Sequence, residues 1–552
     1  MKIGVDLDNT IVNYKSAFLA AVESLSIELP TAVISKVQIR TFLRSLQGGE
    51  VIWQKVQALA YGRFLPTHAT IFPGVKRFLW RCRELGHTVV VVSHKTETAR
   101  QDDEMVPLRV VASDFLVAQH MMLPQNSLIE QIVYHDTQKS KISYIQAQNF
   151  DWFIDDLIEI ISALEQPASL NKIFFAADLE QASRDIGLLQ STQILGDWQQ
   201  IDSAINGAWT DLELNKLAYQ FVDRWPQKVV KLVAGGNGGV YQLEFAREIK
   251  FKLKIYPVDS THDRLLSESV ALNGLVESGS RQVAKMLMQD FDLGVGLFDW
   301  IEGQPVSTIY QSDIESSISL LSSLHRLKNE QLFIKAPLAS AACFSGVDIE
   351  AQIARRIVQF QEARRENPEL EIFFAEIFLP MLNEVIPWAR DHWPKDDDYR
   401  TPIKKTRQTL SPSDFGFHNA IRRSDGSLVF IDFEYFGWDD PVKLLCDFIF
   451  HPGMCLSEEQ QSFWLTAALK IYGIELQQRL IASLPLYGMI WCLIVLNDFR
   501  LEIWSRRTLA NNSKCSTKKE VLERQKEKAN VIIQRVRHRS LEMPRGKYFY
   551  DA

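Results

Sequence analysis

Along the first two hundred or so residues, short apolar runs alternate with longer stretches of mixed polarity. Lys2–Val5, Thr88–Val92, Ile132–Tyr134, Trp152–Ile154 and Lys172–Phe175 are strand-length, rich in β-branched or aromatic residues, and mostly followed by polar ones. Separated by helix-length segments, they predict an α/β sheet with polar chemistry at its strand carboxyl ends. From Asn13 to about His68 the period becomes helical, through Phe18, Leu19, Val22 and Leu25, then Phe42, Leu43, Leu46, Val51, Trp53 and Val56. That pattern predicts a helical cap of about residues 14–70 inserted between the first and second strands. The sheet pattern stops near Ile201–Trp209, and Leu212–Trp225 reads as a connecting helix. Val229–Val233 then opens a second domain, with strand-like Lys231–Ala234 and Gln242–Phe245 around a Gly-rich turn, an alternating strand at Phe251–Tyr256, and a long helical remainder. Lys518–Arg539 reads as a helix with a large solvated face.

Composition narrows the class without changing this outline. At about 150 residues per domain, 552 residues call for several folding units. A net charge of -7 argues against non-specific nucleic-acid binding. The six cysteines lack CxxC spacing, so reduced, mostly buried thiols in a cytoplasmic protein are expected. Met1 leads directly into an acidic strand rather than an apolar leader. The most apolar stretch, Ile481–Leu496, is interrupted by Pro485 and ends at Asn497-Asp498-Phe499-Arg500, which reads as a core helix rather than a membrane span. Homo-oligomerisation is left open by the sequence.

The first chemistry lies in Ile3-Gly4-Val5-Asp6-Leu7-Asp8-Asn9-Thr10. Side chains two apart on a strand share a face, so Asp6 and Asp8 leave the strand end together and favour a divalent cation or a shared proton. A buried strand ending in a solvated turn also fits this octapeptide alone. Ser93 ends Val89–Ser93, Lys141 lies in Thr137–Ile142 where a helix begins, and Phe153-Ile154-Asp155-Asp156 is a second strand ending in paired carboxylates. Lys139 competes with Lys141, which is preferred because Ile142 and Ile145 bury that helix face. His94 reads as a structural loop residue. In this order the four segments resemble the haloacid dehalogenase superfamily of phosphatases over roughly residues 1–205. The resemblance implies that Asp6 attacks phosphorus, and that Asp8 protonates the leaving oxygen and then activates water. It also implies Mg2+ on Asp6, the Asp8 carbonyl and Asp155 or Asp156, with Ser93 and Lys141 holding the phosphoryl oxygens.

A second kit follows. Gly235-Gly236-Asn237-Gly238-Gly239 is a glycine-rich hairpin whose NH groups can approach phosphates. Lys252 and Lys254 share a strand face, and Glu268 on the next helix supplies a carboxylate partner. Asp414, with Asn419 five residues on and Asp432 at a strand end, offers one carboxylate for a hydroxyl and two oxygen ligands for Mg2+. These residues resemble the aminoglycoside phosphotransferase and choline kinase group over roughly residues 210–545. The resemblance implies a bilobal protein-kinase-like domain after a Rossmann-like parallel sheet, with 1–205 the first domain, 206–225 the connector and 226–552 the second, its lobes meeting near 303. It assigns Lys254 to ATP phosphates, Glu268 to the Lys254 ion pair, Asp414 to the base, and Asn419 and Asp432 to metal. The segment holding Asp299 and Ile301 would join the lobes and meet adenine, and His325 is read as structural. The group often has His-Gly-Asp where this chain has Pro412-Ser413-Asp414. Glu434 is a further ligand or a structural acceptor, and Asp440 is structural.

The expectation is therefore a bifunctional enzyme using Mg2+ and ATP on a small phosphorylated metabolite and a small hydroxyl acceptor. A sugar in surface-polysaccharide precursor synthesis is one such substrate. The competing readings are a regulatory binding protein with one inactive half, and a kinase of antibiotics or proteins.

Overall fold

The computed structural model describes residues 1–30, 33, 35–99, 104–164, 169–177, 192–232, 239–258, 262–454, 456–504 and 517–538. They form two compact units, Met1–Gln220 with Asp292–Gly294, and Phe221–Phe291 with Val295–Ala552.

In the first unit, β1 (Lys2–Val5), β2 (Thr88–His94), β3 (Gln131–His135), β4 (Trp152–Asp155), β5 (Asn171–Phe175) and β6 (Thr192–Leu195) form a parallel sheet in the order β3-β2-β1-β4-β5-β6. Both faces are buried. Ile3, Val5, Val89 and Val91 enter one apolar core, and Val90, Val92 and Phe153 enter the other. This is why the strands read as continuous apolar runs rather than alternating ones. Gly4 is required by packing, since a Cβ there would lie 2.4 Å from the Phe153 ring. The strand order reverses between β1 and β4, and the cleft beyond their carboxyl ends is where such sheets take ligands. The insertion between β1 and β2 is framed by an antiparallel ribbon, Val12–Asn13 with Thr70–Ile71, and carries α1 (Lys15–Ser24), α2 (Lys36–Arg44) and α3 (Gly49–Tyr61). Phe18 of α1 stacks on Trp53 of α3 at 5.4 Å, giving the cap its own aromatic core.

The expected connector proves integral to the first unit. Helices α4 (Val75–Glu84), α5 (Leu108–Ala118), α6 (Gln138–Ala147) and α7 (Trp198–Asn206) flank the sheet, and α8 (Asp211–Val222) replaces the expected Leu212–Trp225. Buried Arg81 ties α8 to its neighbours through Glu213 at 2.7 Å and Asp202 at 3.0 Å.

In the second unit, β7 (Lys228–Lys231), β8 (Gly239–Glu244), β9 (Lys250–Ile255), β10 (Met286–Asp290) and β11 (Val295–Asp299) form an antiparallel sheet in the order β10-β11-β9-β8-β7. The first two strands fall a few residues before their expected spans, and α9 (Arg264–Glu277) follows β9. The helical part contains α10 (Gln311–Leu327), α11 (Gly346–Gln359), α12 (Pro441–Phe450), α13 (Glu458–Tyr472), α14 (Gln477–Val495) and α15 (Lys518–Arg537). Short strands β12 (Thr409–Ser411), β13 (Ala420–Arg422), β14 (Leu428–Phe430) and β15 (Gly437–Asp439) pair as β12 with β15 and β13 with β14.

The expected core helix forms as α14, and Pro485 lies inside it without ending it. The segment Ile474–Phe499 is long and apolar enough to span a membrane by length and composition, yet 83% of its most apolar window is buried within this unit. Core packing on all sides outweighs the single helix hydrogen bond that a proline removes. Pro368–Asp391 passes the same length and composition test with 39% of its window buried. The solvated face of α15 is complemented by a packed one, with Ala529, Ile532, Ile533 and Val536 in the core.

Candidate functional sites

At the switch point of the parallel sheet, Asp6 follows β1 and Asp155 ends β4, and the Asp6 NH donates to the Ile154 carbonyl at 2.9 Å. Thr137 caps α6 by accepting from the Ser140 NH, which starts the helix so that Lys141 turns inward while Lys139 stays exposed. Lys141, 1% exposed, bonds Asp6 at 2.5 Å and Asp155 at 2.6 Å. The carboxylate oxygens of Asp6, Asp155 and Asp156 lie within 4.8 Å of one another. Burial pushes the Asp6 carboxyl up to about 7 despite Lys141, with Asp155 and Asp8 adding to the rise. Burial and then Asp6 push Asp156 up as well.

Asp8 stands apart from this trio. Its carboxylate accepts from Tyr14 Oη at 2.7 Å and pairs with buried Lys95 at 3.0 Å. Ser93 is fully buried, and its Oγ has no hydrogen-bond partner among the described residues. His94 ends β2 rather than lying in a loop, and its ring contacts the Asp136 carbonyl at 3.1 Å. An oxygen-only trio beside an unpartnered buried hydroxyl suits a hard divalent cation and a phosphoryl oxygen.

Sequence reasoning missed two lysines here. Lys95 follows β2 immediately, and its ammonium lies 4.6 Å from the Tyr61 ring centre. Lys36, from the cap helix α2, is raised to about 12 because Tyr61 and Asp156 outweigh its burial. Neither position carries a spacing signal, because both partners come from distant elements.

In the second unit, β9 presents Lys254 inward, 5% exposed, with Glu268 of α9 at 2.8 Å and Glu434 at 2.9 Å. Asp432 also bonds Lys254. Tyr256 Oη donates to Glu268 at 2.7 Å, and Arg264 pairs with Glu434 at 2.7 Å, so Glu434 serves two cations. The carboxylates of Glu268, Asp432 and Glu434 lie within 4.8 Å of one another, again an all-oxygen set. Asp432 has a φ of 68°, a left-handed conformation that Asp and Asn tolerate better than most residues. Although burial raises the Asp432 carboxyl, Lys254 and Lys252 hold it below the usual range. Lys252 lies with its ammonium 4.6 Å from the Phe298 ring centre, and burial pulls its pKa down.

Asn419 joins this group through the backbone, since the Ile431 NH donates to its carbonyl at 2.9 Å and Asp432 comes next. Its side chain donates to the Asp414 carbonyl at 2.9 Å. Burial opposes ionisation of Asp414, but His418, His451 and Asn419 hold its pKa below the usual carboxylate value. Both histidines were missed by the sequence reading: His451 lies far from Asp414 in the chain, and the i, i+4 spacing of His418 from Asp414 was a signal left unused. Asp299 spends its carboxylate on the Lys285 NH at 2.7 Å, and Ile301 packs with Ala284 and Val429. His325 packs edge-on to Tyr472 at 5.1 Å, and Asp440 caps α12 and pairs with Arg479 at 2.7 Å. Gly235, Gly236, Asn237 and Gly238 lie outside the described residues, and Gly239 opens β8.

No family model matches the chain, and no curated protein matches it. Among solved structures, it is similar to a spectinomycin phosphotransferase in complex with ADP and spectinomycin, at 12% identity over 58% of this chain and 98% of that one, with a TM-score of 0.42. It is also similar to a choline kinase from Streptococcus pneumoniae, at 14% identity over 58% and 99%, TM-score 0.37. An amicoumacin kinase in complex with AMP-PNP, Ca2+ and Ami gives 14% identity over 61% and 96%, TM-score 0.36. No phosphatase is among these three.

Proposed function

We propose that the second unit is an ATP-dependent phosphotransferase acting on a hydroxyl of a small molecule, and that the first is an Mg2+-dependent phosphomonoester hydrolase. The observation that carries the kinase reading is buried Lys254, held by Glu268 at 2.8 Å and bonded to Asp432, with Asp414 and Asn419 on the adjoining loop. Lys254 binds the nucleotide phosphates with Glu268 fixing its ammonium, and backbone groups of the 299–301 segment meet the base. Asp414 accepts the hydroxyl proton as the acceptor oxygen attacks the terminal phosphorus. Asn419 and Asp432 are the residues that would hold Mg2+, which supplies charge neutralisation on the phosphates when bound.

In the first unit, the unpartnered Ser93 hydroxyl and the Asp6, Asp155 and Asp156 trio support the hydrolase reading. Asp6 attacks phosphorus, and the departing alkoxide takes a proton from Asp8. Asp8 then removes a proton from water, whose oxygen attacks the same phosphorus and releases Asp6 and inorganic phosphate. Ser93 and Lys141 bind the transferring oxygens. Asp6, the Asp8 carbonyl and Asp155 or Asp156 would hold Mg2+.

Joining opposite phosphoryl chemistries in one chain suggests successive steps on one metabolite, such as a sugar phosphorylated at one hydroxyl and dephosphorylated at another. A cytoplasmic setting is part of this reading and is supported by the buried Cys82, Cys343 and Cys492, which form no disulfide among the described residues. Asp6→Asn and Asp414→Asn, made separately and screened against free and phosphorylated sugars, amino sugars and nucleosides, test it. Loss of hydrolysis in the first and of transfer in the second is expected, each on the order of 10^3-fold or more. Loss of both activities from either change contradicts two independent sites. One feature favours a binding-only second unit, the Pro412-Ser413 sequence before Asp414, and ATP binding without transfer to any acceptor would establish that reading instead.

A further inference from the structure

The two oxygens of the Asp414 carboxylate have different surroundings. Oδ1 has a hydrogen bond from His418 Nε2 at 3.2 Å and His451 Nε2 facing it at 3.8 Å, beyond hydrogen-bond reach, whereas Oδ2 has the Asn419 amide at 3.4 Å. The two imidazoles stack, with centroids 3.8 Å apart and planes 12° from parallel. Trp491 of α14 meets His451 edge-on at 5.0 Å, and its own Nε1 is anchored on Asp447 at 2.8 Å. His451 follows α12 directly, and the Gly453 NH donates to its Nδ1 at 3.1 Å.

That last bond fixes the tautomer. A ring nitrogen that accepts a hydrogen bond carries no proton, so neutral His451 holds its proton on Nε2, the atom facing Asp414. Burial, with His418 alongside, pulls its pKa down to about 4, so the ring is neutral near pH 7. Protonated Nε2 has no lone pair to offer, so the trio is one imidazole bonded to a carboxylate and a second whose N–H faces the same oxygen, rather than a set of metal ligands. The loop and turn are also built against each other. The Phe417 NH donates to Met454 Sδ at 3.3 Å, and a Cβ on Gly416 would lie 2.5 Å from that sulfur and 2.8 Å from His418 Nδ1.

We propose that His451, with His418 stacked on it, is a positioning residue for Asp414, its N–H closing from 3.8 Å onto Oδ1 when substrates bind so that Oδ2 faces the acceptor hydroxyl. This rests on the phosphotransferase reading. Two variants of the full chain separate positioning from packing. His451→Gln keeps an NH donor at similar reach, whereas His451→Phe keeps the stacked ring and removes the donor. ADP release is followed with MgATP and choline, spectinomycin or glucosamine as acceptor. The kcat of His451→Phe is expected to fall on the order of 10^2-fold with KM for ATP unchanged, while His451→Gln stays within about 5-fold. The reverse ranking, Phe active and Gln impaired, means packing and overturns the proposal. Nitrogen-15 NMR of the wild-type histidines gives a readout independent of turnover: an Nε2–H tautomer for His451 at pH 7 supports the contact, and an Nδ1–H tautomer overturns it. A wild-type chain that binds ATP but releases no ADP with any acceptor overturns the phosphotransferase reading itself, and the tautomer then decides the contact alone.

Discussion

Both candidate sites bury one lysine among carboxylates, yet their charges are balanced differently. In the first unit Asp6, Asp155 and Asp156 converge around Lys141. In the second, Glu268, Asp432 and Glu434 meet two cations, Lys254 and Arg264. The carboxyl groups register the difference. Asp6 is pushed up to about 7 by burial, whereas Asp432 is held down by Lys254 and Lys252 against its burial. An under-neutralised cluster gains more from a divalent cation than a nearly balanced one does. Placement follows the same division: the first site hangs from strand ends, while Lys254 sits within a strand with a ladder on each side.

The comparison breaks most readily at the lysines. Lys141→Met leaves buried carboxylates without their shared partner and should cost the first unit about 3–5 kcal/mol. Lys254→Met should cost the second about 1–3 kcal/mol, because Arg264 remains on Glu434. Hydrogen exchange on the core strands of each unit measures both, and equal losses would remove the distinction. Next in size is the metal: Mg2+ at a hundred times its Kd should protect the first unit by about 2.7 kcal/mol, reversed by EDTA, with a clearly smaller effect on the nucleotide-free second unit. Each site also has a tightly packed glycine. Gly4→Ala drives a Cβ into the Phe153 ring and should cost about 2–3 kcal/mol, against about 1 kcal/mol for Gly416→Ala, where the end of Met454 can move. Denaturant midpoints rank the two. The smallest effects are at the helix caps. Thr137→Ala and Asp263→Ala each remove one cap, on the helices bearing Lys141 and Glu268, and should cost about 1 kcal/mol apiece.

What was legible in the sequence was local. Strand-terminal carboxylates at Asp6 and Asp155, the alternating pair Lys252 and Lys254, and the preference for Lys141 over Lys139 all follow from side-chain periodicity. The helical cap was legible for the same reason, through its spacing of aromatic and aliphatic residues. What escaped depended on tertiary approach. Lys95 meets Asp8, Lys36 acts on Asp156 from the cap, and His451 reaches Asp414 from the end of α12. The buried core helix around Pro485 was legible from its apolar run, and the core around α14 supplies what the missing hydrogen bond does not. The burial of Glu213 against Arg81 likewise depends on tertiary approach.

The left-handed backbone of Asp432 carries an evolutionary consequence. A position with positive φ accepts asparagine about as easily as aspartate and resists β-branched or bulky replacements. The change from an aspartate to an asparagine codon is a single nucleotide transition, and it would remove the charge proposed to hold metal while sparing the chain's geometry. Lineages can therefore silence this half without unfolding it, and the same letter restores it. An Asn at this position in a descendant would mark a retired catalyst kept for its shape.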